Sequence, residues 1–223
     1  MIILYTDFSL LGPFVGQIKS VIYQYKLDSK VIDLMHDAPM FNIKHSACLL
    51  NSLTPYFPTG DVFCCVVDPG VGSTRNSIVV KADDKFYIGP DNGLFEYIIR
   101  SANKLQYFNI IWKPEVLSAT FHGRDIYAPI AAQIDSGNFD GLEIIDPDAV
   151  TRFDWPNDLY EIIYIDHYGN AITGVDAVSM NKTNIIKIGE IELHHARTFS
   201  DVSEGRMFWH ENSIGLEIGR AHV

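Results

Sequence analysis

The segment 62–67, with the sequence VFCCVV, is a continuous apolar run and constrains the fold more than any other part of the chain. A strand with one solvated face alternates apolar and polar residues, whereas this segment has no polar position on either face. Such runs are typical of strands in parallel sheets that helices cover on both sides. The segment therefore predicts a central strand of an α/β domain.

The rest of residues 1–150 alternates short apolar runs with helical patterns. Further strands are predicted in two single segments and one hairpin, namely 2–5, 31–34 and 77–81 paired with 86–88. Apolar residues recur at helical spacing in four segments, namely 15–25, 47–53, 93–100 and 125–134. This order predicts an α/β domain over residues 1–150, with a mostly parallel sheet and flanking helices.

The character of the chain changes at about Pro156. Short runs rich in strand-forming residues follow, separated by turn residues, at 159–165, 171–175, 184–188 and 214–218. No helical pattern lies between them. Residues 156–223 are therefore predicted to form a small antiparallel β-barrel domain, joined to the first domain through residues 147–156.

Charge and cysteine usage exclude several classes of protein. The chain has 17 Lys and Arg against 28 Asp and Glu, so its net charge of −11 disfavours nucleic-acid binding. Three cysteines cannot form a disulfide framework, and the adjacent Cys64 and Cys65 in an apolar run indicate buried, reduced thiols. The sequence has no signal-peptide pattern at residues 1–9 and no apolar run near the roughly 18 residues of a membrane helix. We expect a soluble, cytoplasmic protein without membrane partners.

Polar residues follow three of the predicted strands, and this placement indicates a ligand site. They are Thr6-Asp7, Asp68-Pro69-Gly70 and the segment 89–93, GPDNG. In open α/β sheets, ligands bind at the carboxyl ends of strands. Each group taken alone could serve only as a turn or helix cap. Their coincidence at one edge of one sheet favours the ligand site.

Asp68, Arg75 and His122 are the residues at this edge that could carry chemistry. Arg75 follows Asp68 across a glycine-containing loop, so its guanidinium can return to the carboxylate and hold it rigidly. This pairing lowers the basicity of Asp68, so the carboxylate suits the orientation of a water or hydroxyl better than proton removal. His122 is then the natural proton carrier near neutral pH. A structural ion pair and an unrelated core histidine remain the alternative.

Standard motifs for other chemistries are absent. Gly70-Val71-Gly72 lacks the third glycine of a dinucleotide fingerprint, and the chain has no phosphate-binding Gly-Lys-Ser/Thr loop. It has no HExxH, and the adjacent His194 and His195 do not have metal-ligand spacing. No serine lies in a GxSxG elbow. We therefore predict no metal site and no serine-hydrolase site.

Several long segments resemble the S-adenosyl-L-methionine hydrolases (adenosine-forming), relatives of the enzymes that fluorinate or chlorinate the same substrate. In chain order they are TDFS at 6–9, PYFPTGDVFCCVVDPGVGSTR at 55–75, GPDNGLF at 89–95, TFHGRDIYAP at 120–129, IDHYGNAITG at 165–174 and NSIGLEI at 212–218. The resemblance extends over nearly the whole chain. It departs from the family at Ser9, where glycine is more usual, and in a shorter C-terminal tail.

The resemblance implies hydrolysis of S-adenosylmethionine to adenosine and L-methionine, with water attacking the ribose C5′ and no cofactor. By this resemblance, Asp68, Arg75 and His122 position and activate the water, and Asp7 binds the ribose diol. The C-terminal domain would supply further substrate contacts from Asn170, Ser213, Glu217 and, as a partner for the methionine ammonium, Asp166. The resemblance also implies a homotrimer, in which the β domain of each subunit completes the site of its neighbour.

Two other functions remain to be weighed against hydrolysis. The halogenating relatives carry a serine next to the position of His122, where this chain has Gly123, and the fluorinating ones carry an added loop that this chain lacks. A non-catalytic sensor of adenosine or S-adenosylmethionine would have no need for the set Asp68, Arg75 and His122. A methyltransferase is disfavoured because the glycine-rich nucleotide loop after the first strand is missing.

Overall fold

The computed structural model of the protein describes residues 1–221, with side chains through Leu216. The chain divides into two compact units, the first from Met1 to Asp154 and the second from Trp155 onward. Among the described residues, no helix combines the length and the apolar character that a bilayer crossing requires.

The first unit contains a seven-stranded sheet in which five strands run in the same direction. Its strands are β1 (Ile2–Thr6), β2 (Val31–Met35), β3 (Val62–Val66), β4 (Ser77–Ala82), β5 (Lys85–Pro90), β6 (Leu105–Ile110) and β7 (Leu142–Ile145), in the spatial order β2-β1-β3-β5-β4-β6-β7. The pairs β2–β1, β1–β3 and β3–β5 are parallel, while β4 and β7 run against their neighbours. The predicted mixed α/β fold with a mostly parallel sheet is confirmed.

Strand β3 is buried on both faces, as its apolar run predicts. Val62, Cys64 and Val66 lie in the core on one side of the sheet, with Ile18 of the first helix. Phe63 and Cys65 lie in the core on the other side. The two adjacent thiols therefore point to opposite faces, and burial raises the pKa of both.

Four α-helices cover the two faces of this sheet. They are α1 (Phe14–Tyr25), α2 (Ile43–Leu53), α3 (Glu96–Ser101) and α4 (Ala128–Asp135). Helices α1 and α4 contribute to the core that holds Val62, while α2 and α3 contribute to the core that holds Phe63. The segment predicted as one helix from residue 125 begins instead with a π-helical turn, Gly123–Tyr127, before α4. Strands β6 and β7 were not predicted.

The second unit contains a six-stranded sheet. Its strands are β8 (Leu159–Ile165), β9 (Ala171–Asp176), β10 (Ile186–Ile188), β11 (Ile191–His195), β12 (Met207–Glu211) and β13 (Leu216–Ala221), in the order β10-β11-β12-β13-β9-β8. Four of its five strand pairings are antiparallel, as predicted for this segment, and the fifth, between β11 and β12, is parallel. Strands β10 and β8 are the sheet edges, and no pairing between them occurs within residues 155–221. The barrel stays a prediction.

Glu96 at the start of α3 anchors the end of the first unit. Its side chain is 1% exposed and accepts hydrogen bonds from Arg100 Nε at 2.8 Å, Arg152 Nε at 2.9 Å and the Phe153 amide at 3.1 Å. Burial alone would raise the pKa of Glu96, but the hydrogen bonds from Arg152 and Arg100 outweigh it and lower the pKa.

Replacement of Glu96 by Gln should lower the free energy of unfolding at pH 7 by about 2 kcal/mol, because two arginines lose their charged partner. The pKa of Glu96 is lowered in the folded protein. Its contribution to the free energy of unfolding is therefore fully present above the pKa of the carboxyl in the unfolded chain, and it is lost as the pH falls through the pKa in the folded protein. Urea unfolding of both proteins, between pH 7 and pH 3, measures this. The difference should shrink at acid pH, and Glu115→Gln, at an exposed position, should change stability by less than about 0.5 kcal/mol.

Candidate active site

The carboxyl ends of β1 and β3 open into a cavity of about 270 Å³ in the first unit. Its polar lining includes Asp7, Asp68 and His122, and its apolar lining includes Phe8, Phe14, Met40, Phe41, Val66, Val71 and Phe121. Three predicted residues, distant in sequence, thus share one cavity. The mixture of a mainly apolar wall with a few convergent polar groups is typical of a small-molecule site.

Asp68 and Arg75 form the predicted ion pair at the edge of this cavity. Arg75 Nη1 donates to Asp68 Oδ1 at 2.5 Å, and the Gly70 amide donates to the same oxygen at 3.1 Å. The Asp68 side chain is 6% exposed. No group among the described residues donates to Asp68 Oδ2, so this oxygen is available to a ligand or a water.

Two glycines allow the loop between Asp68 and Arg75 to close tightly. A Cβ atom on Gly70 would lie 2.1 Å from Arg75 Nη2, so any side chain there collides with the guanidinium. Gly72 has a φ of +83°, and a Cβ on it would lie 2.3 Å from the Ala119 carbonyl oxygen. The second contact brings the loop against the segment that carries His122.

His122 directly precedes the π-helical turn Gly123–Tyr127 and lines the same cavity as Asp68. π-helical turns occur frequently at functional sites. The ring of His122 makes no hydrogen bond within the described part of the chain, and it is half-buried rather than fully enclosed. This placement favours a site residue over a histidine of the core. The following turn is held by Asp125, which accepts a hydrogen bond from the Ser118 amide at 2.8 Å.

Asp7 lies at the end of β1 on the other side of the cavity. Its Oδ2 accepts a hydrogen bond from the Phe41 amide at 3.2 Å, and Phe41 has a φ of 58°. Burial raises the pKa of Asp7, and the negative charge of Asp68 adds a smaller effect in the same direction. Asp7 is thus a partly desolvated acceptor that faces the cavity.

A buried hydrogen-bonded chain supports the loop that contains Asp7. Thr6 Oγ1 contacts His36 Nδ1 at 2.8 Å, and His36 Nε2 contacts Asp33 Oδ1 at 3.0 Å. The His36 carbonyl also accepts from the Ser9 amide at 2.6 Å. Sequence reasoning missed this chain. Its only signal in the sequence is Asp33 in β2 with His36 three residues later, just after the strand.

Asp91 and Asn92, which follow β5, do not line the cavity. Asp91 accepts hydrogen bonds from the Thr151 amide at 3.1 Å and the Thr151 hydroxyl at 2.9 Å. Asn92 Nδ2 donates to the Val67 carbonyl at 2.9 Å and so ties the end of β3 to the next loop. The alternative interpretation as turn residues therefore holds for this third group.

The remaining predicted site residues lie in the second unit. Asp166 accepts hydrogen bonds from Asn170 through the backbone amide at 2.9 Å and through Nδ2 at 2.5 Å, which fixes the β8–β9 turn. Asn170 Oδ1 is buried and has no donor among the described residues. Ser213 lies in the turn between β12 and β13. Glu217 lies on β13, but its side chain falls outside the described residues.

The described residues also bear on metal binding and on residues that the sequence did not single out. Within them, no group of three or more His, Cys, Asp and Glu side chains could hold a metal ion. Tyr127 was not predicted, yet it is 1% exposed and lines the cavity. Its hydroxyl oxygen accepts a hydrogen bond from Ser77 at 3.2 Å.

Family models match both units of the chain. Residues 2–143 match the SAM hydroxide adenosyltransferase N-terminal domain, and residues 160–219 match the C-terminal domain of the same family. Together these segments cover most of the sequence. The chain therefore belongs to the SAM hydroxide adenosyltransferase family, and the resemblance inferred from its motifs is confirmed.

Individual relatives agree with this membership. The chain is 40% identical to a (R)-S-adenosyl-L-methionine hydrolase of Methanocaldococcus jannaschii. The match covers 78% of this chain and 66% of the other protein, so this chain spans just under two thirds of that relative's length. It is 33% identical to a protein of the same name from Salinispora arenicola, over 95% of this chain and 86% of the other. A crystal structure of an uncharacterized conserved protein from Thermotoga maritima has a TM-score of 0.88 at 27% identity and covers 100% of this chain and 92% of its own.

Replacement of Gly70 by Ala should separate Arg75 from Asp68, because the new methyl group would occupy the place of Nη2. A crystal structure of the variant measures the distance from Arg75 Nη1 to Asp68 Oδ1. Gly16→Ala is the matched control, since a Cβ there meets nothing within 4 Å. The control should keep the ion pair and stabilise α1 by about 0.5 kcal/mol. An intact ion pair in Gly70→Ala would show that the loop does not need this glycine.

Proposed function

We propose that this protein hydrolyses S-adenosyl-L-methionine to adenosine and L-methionine by attack of water on the ribose C5′. The observation that carries the proposal is the single cavity that holds the Asp68–Arg75 pair and His122. Membership of the SAM hydroxide adenosyltransferase family and the names of the relatives support the same reaction.

The first requirement of this reaction is a water molecule held in line with the C5′–S bond. Asp68 Oδ2 is the acceptor for one of its protons, because Oδ1 is already occupied by Arg75 and the Gly70 amide. A fixed carboxylate orients the water. The cost of bringing the reacting atoms into line is a large part of the barrier to a displacement, and a site that holds the water in place lowers it. The His122 ring, which lines the same cavity, supplies a second group that can accept a proton.

The chemistry of the substrate explains why side chains alone suffice. As the C5′–O bond forms, the C5′–S bond breaks and its electron pair returns to sulfur, giving the neutral thioether of methionine. Sulfonium is a good leaving group, so its departure needs no general acid, and we propose that no cofactor takes part. Because attack removes the positive charge from sulfur, a mainly apolar cavity wall favours the transition state over the charged substrate.

Asp7 is the proposed partner of the ribose diol, since it is a partly desolvated acceptor in the same cavity. Asn170, Asp166, Ser213 and Glu217 are proposed to contact adenosine or methionine from the β domain of a neighbouring subunit. The unsatisfied acceptor Asn170 Oδ1 supports a role for that residue beyond its own turn.

The same proposal includes a homotrimer in which the β domain, closed as a barrel, covers the neighbouring cavity. Its support in the first unit is an exposed apolar rim, with Met40 at 63% and Phe41 at 68% exposure. Exposed apolar patches of this kind are typical of interfaces and ligand grooves. We also propose a cytoplasmic location, which agrees with three buried cysteines that are not joined in disulfides.

Incubation of the pure protein with S-adenosylmethionine, with and without chloride, should release adenosine and methionine in equal amounts at a rate that chloride does not change. Mass spectrometry of the products, in water enriched in ¹⁸O, should place the label in the adenosine 5′-hydroxyl. A 5′-halogenated adenosine would instead establish halide transfer. Tight binding without turnover would establish a sensor.

Arg75→Ala and His122→Ala should each lower turnover by roughly tenfold or more, because each removes a group that orients the water or takes its proton. Adenosine affinity should change little, since Asp7 is intact, and calorimetry measures it. His194→Ala and Arg197→Ala are matched controls at exposed positions and should retain full activity. Near-normal turnover in either site variant would remove that residue from the mechanism.

A further inference from the structure

A second, larger cavity lies behind the catalytic residues and is not explained by substrate binding. It measures about 570 Å³, and its polar lining includes Ser73, Thr74, Arg75, Asn76, Ser77 and Asn109. Hydroxyl and amide groups thus stand here beside apolar side chains such as Trp112 and Leu117, whereas the first cavity is lined by several phenylalanines. Such a space is large and polar enough to hold several water molecules.

Three side-chain connections cross the wall between the two cavities. His122 lines both of them. Arg75 lines the second and pairs with Asp68, which lines the first. Ser77 lines the second and donates a hydrogen bond at 3.2 Å to Tyr127, which lines the first. Two of these connections, His122 and the Ser77–Tyr127 pair, consist of groups that can both accept and donate protons.

The proposed hydrolysis creates a need for such a connection. Each turnover consumes one water molecule and releases one proton. The sulfonium substrate carries one more positive charge than adenosine and methionine together, and the proton carries that charge away. A substrate seated in the first cavity fills the space through which water would otherwise arrive. The water and the proton then need a route that the substrate does not occupy.

We propose that the second cavity supplies the water and receives the proton, and that the Ser77–Tyr127 hydroxyl pair and His122 carry the proton between the cavities. This inference rests on the proposed function. With the C5′–O bond formed and the C5′–S electron pair on sulfur, the proton of the attacking water passes from the Asp68–His122 region to water in the second cavity.

The state of Tyr127 fits this role. Burial raises its pKa, so the phenol remains protonated over the working range of pH. Because Ser77 donates to the phenol oxygen, the proton of Tyr127 is free to point into the first cavity, which Asp68 also lines. Rotation of the two hydroxyls reverses the direction of donation and lets a proton pass outward.

Tyr127→Phe and Ser77→Ala test the route, because each removes one hydroxyl from the pair and leaves the rest of the side chain in place. Each should lower kcat by about tenfold with KM for S-adenosylmethionine changed less than about twofold, since the lost step follows substrate binding. The solvent isotope effect on kcat, measured in H₂O and D₂O, should rise. Ser52→Ala is the matched control, since it also removes one hydroxyl, but Ser52 lies on α2 and lines neither cavity.

Imidazole buffer separates a proton route from a structural role. A small proton carrier that enters the second cavity should restore most of the lost rate in Tyr127→Phe and Ser77→Ala and should leave the wild type and Ser52→Ala unchanged. Normal kcat in both variants would overturn the inference, and so would a loss that imidazole does not relieve. If the wild type releases no adenosine, the proposed function fails as well; if it does and the variants match it, only the inference fails.

Discussion

Burial of β3 between two apolar layers is the constraint on which the rest of the first unit depends. Its side chains alternate between two cores, so both faces of the sheet must be covered, and its neighbours β1 and β5 run parallel to it. Parallel neighbours bring their carboxyl ends to one edge of the sheet. Asp7 and Asp68 meet in one cavity because of this arrangement, although 61 residues separate them.

The Asp68–Arg75 pair solves an electrostatic difficulty of the proposed reaction. An unpaired carboxylate beside a sulfonium would stabilise the charged substrate more than a transition state in which that charge is disappearing, and the barrier would rise. Arg75 offsets the negative charge through Oδ1 and leaves Oδ2 as an acceptor. The carboxylate can therefore orient water while it stabilises the charged substrate less than an unpaired carboxylate would. Gly70 leaves the space that the guanidinium occupies, since a Cβ there would lie 2.1 Å from Arg75 Nη2.

Features that depend on local pattern could be predicted from the sequence. The apolar run of β3, the hairpin β4–β5 and the helical spacing of α1 each carry their own signal, and Asp68 follows directly from its place after β3. Strands β6 and β7 were missed because their polar residues, such as Gln106 and Glu143, interrupt an apolar run. Tyr127 reads as a helix core residue, and its contact with Ser77 joins residues 50 positions apart. Pairings of that kind exist only in the folded chain.

The proposed hydrolysis would benefit from two cavities rather than one. A dry wall favours loss of charge from the sulfonium, but a reaction that consumes water cannot take place in a site that water never reaches. In this chain phenylalanines line the first cavity, and most of the hydroxyl and amide side chains lie in the second, beside apolar residues such as Trp112. The loop from Asp68 to Arg75 contributes to both, since Asp68 lines the first and Arg75 the second. The Asp68–Arg75 ion pair thus joins the two cavities at the point where the proposed reaction needs an acceptor for water.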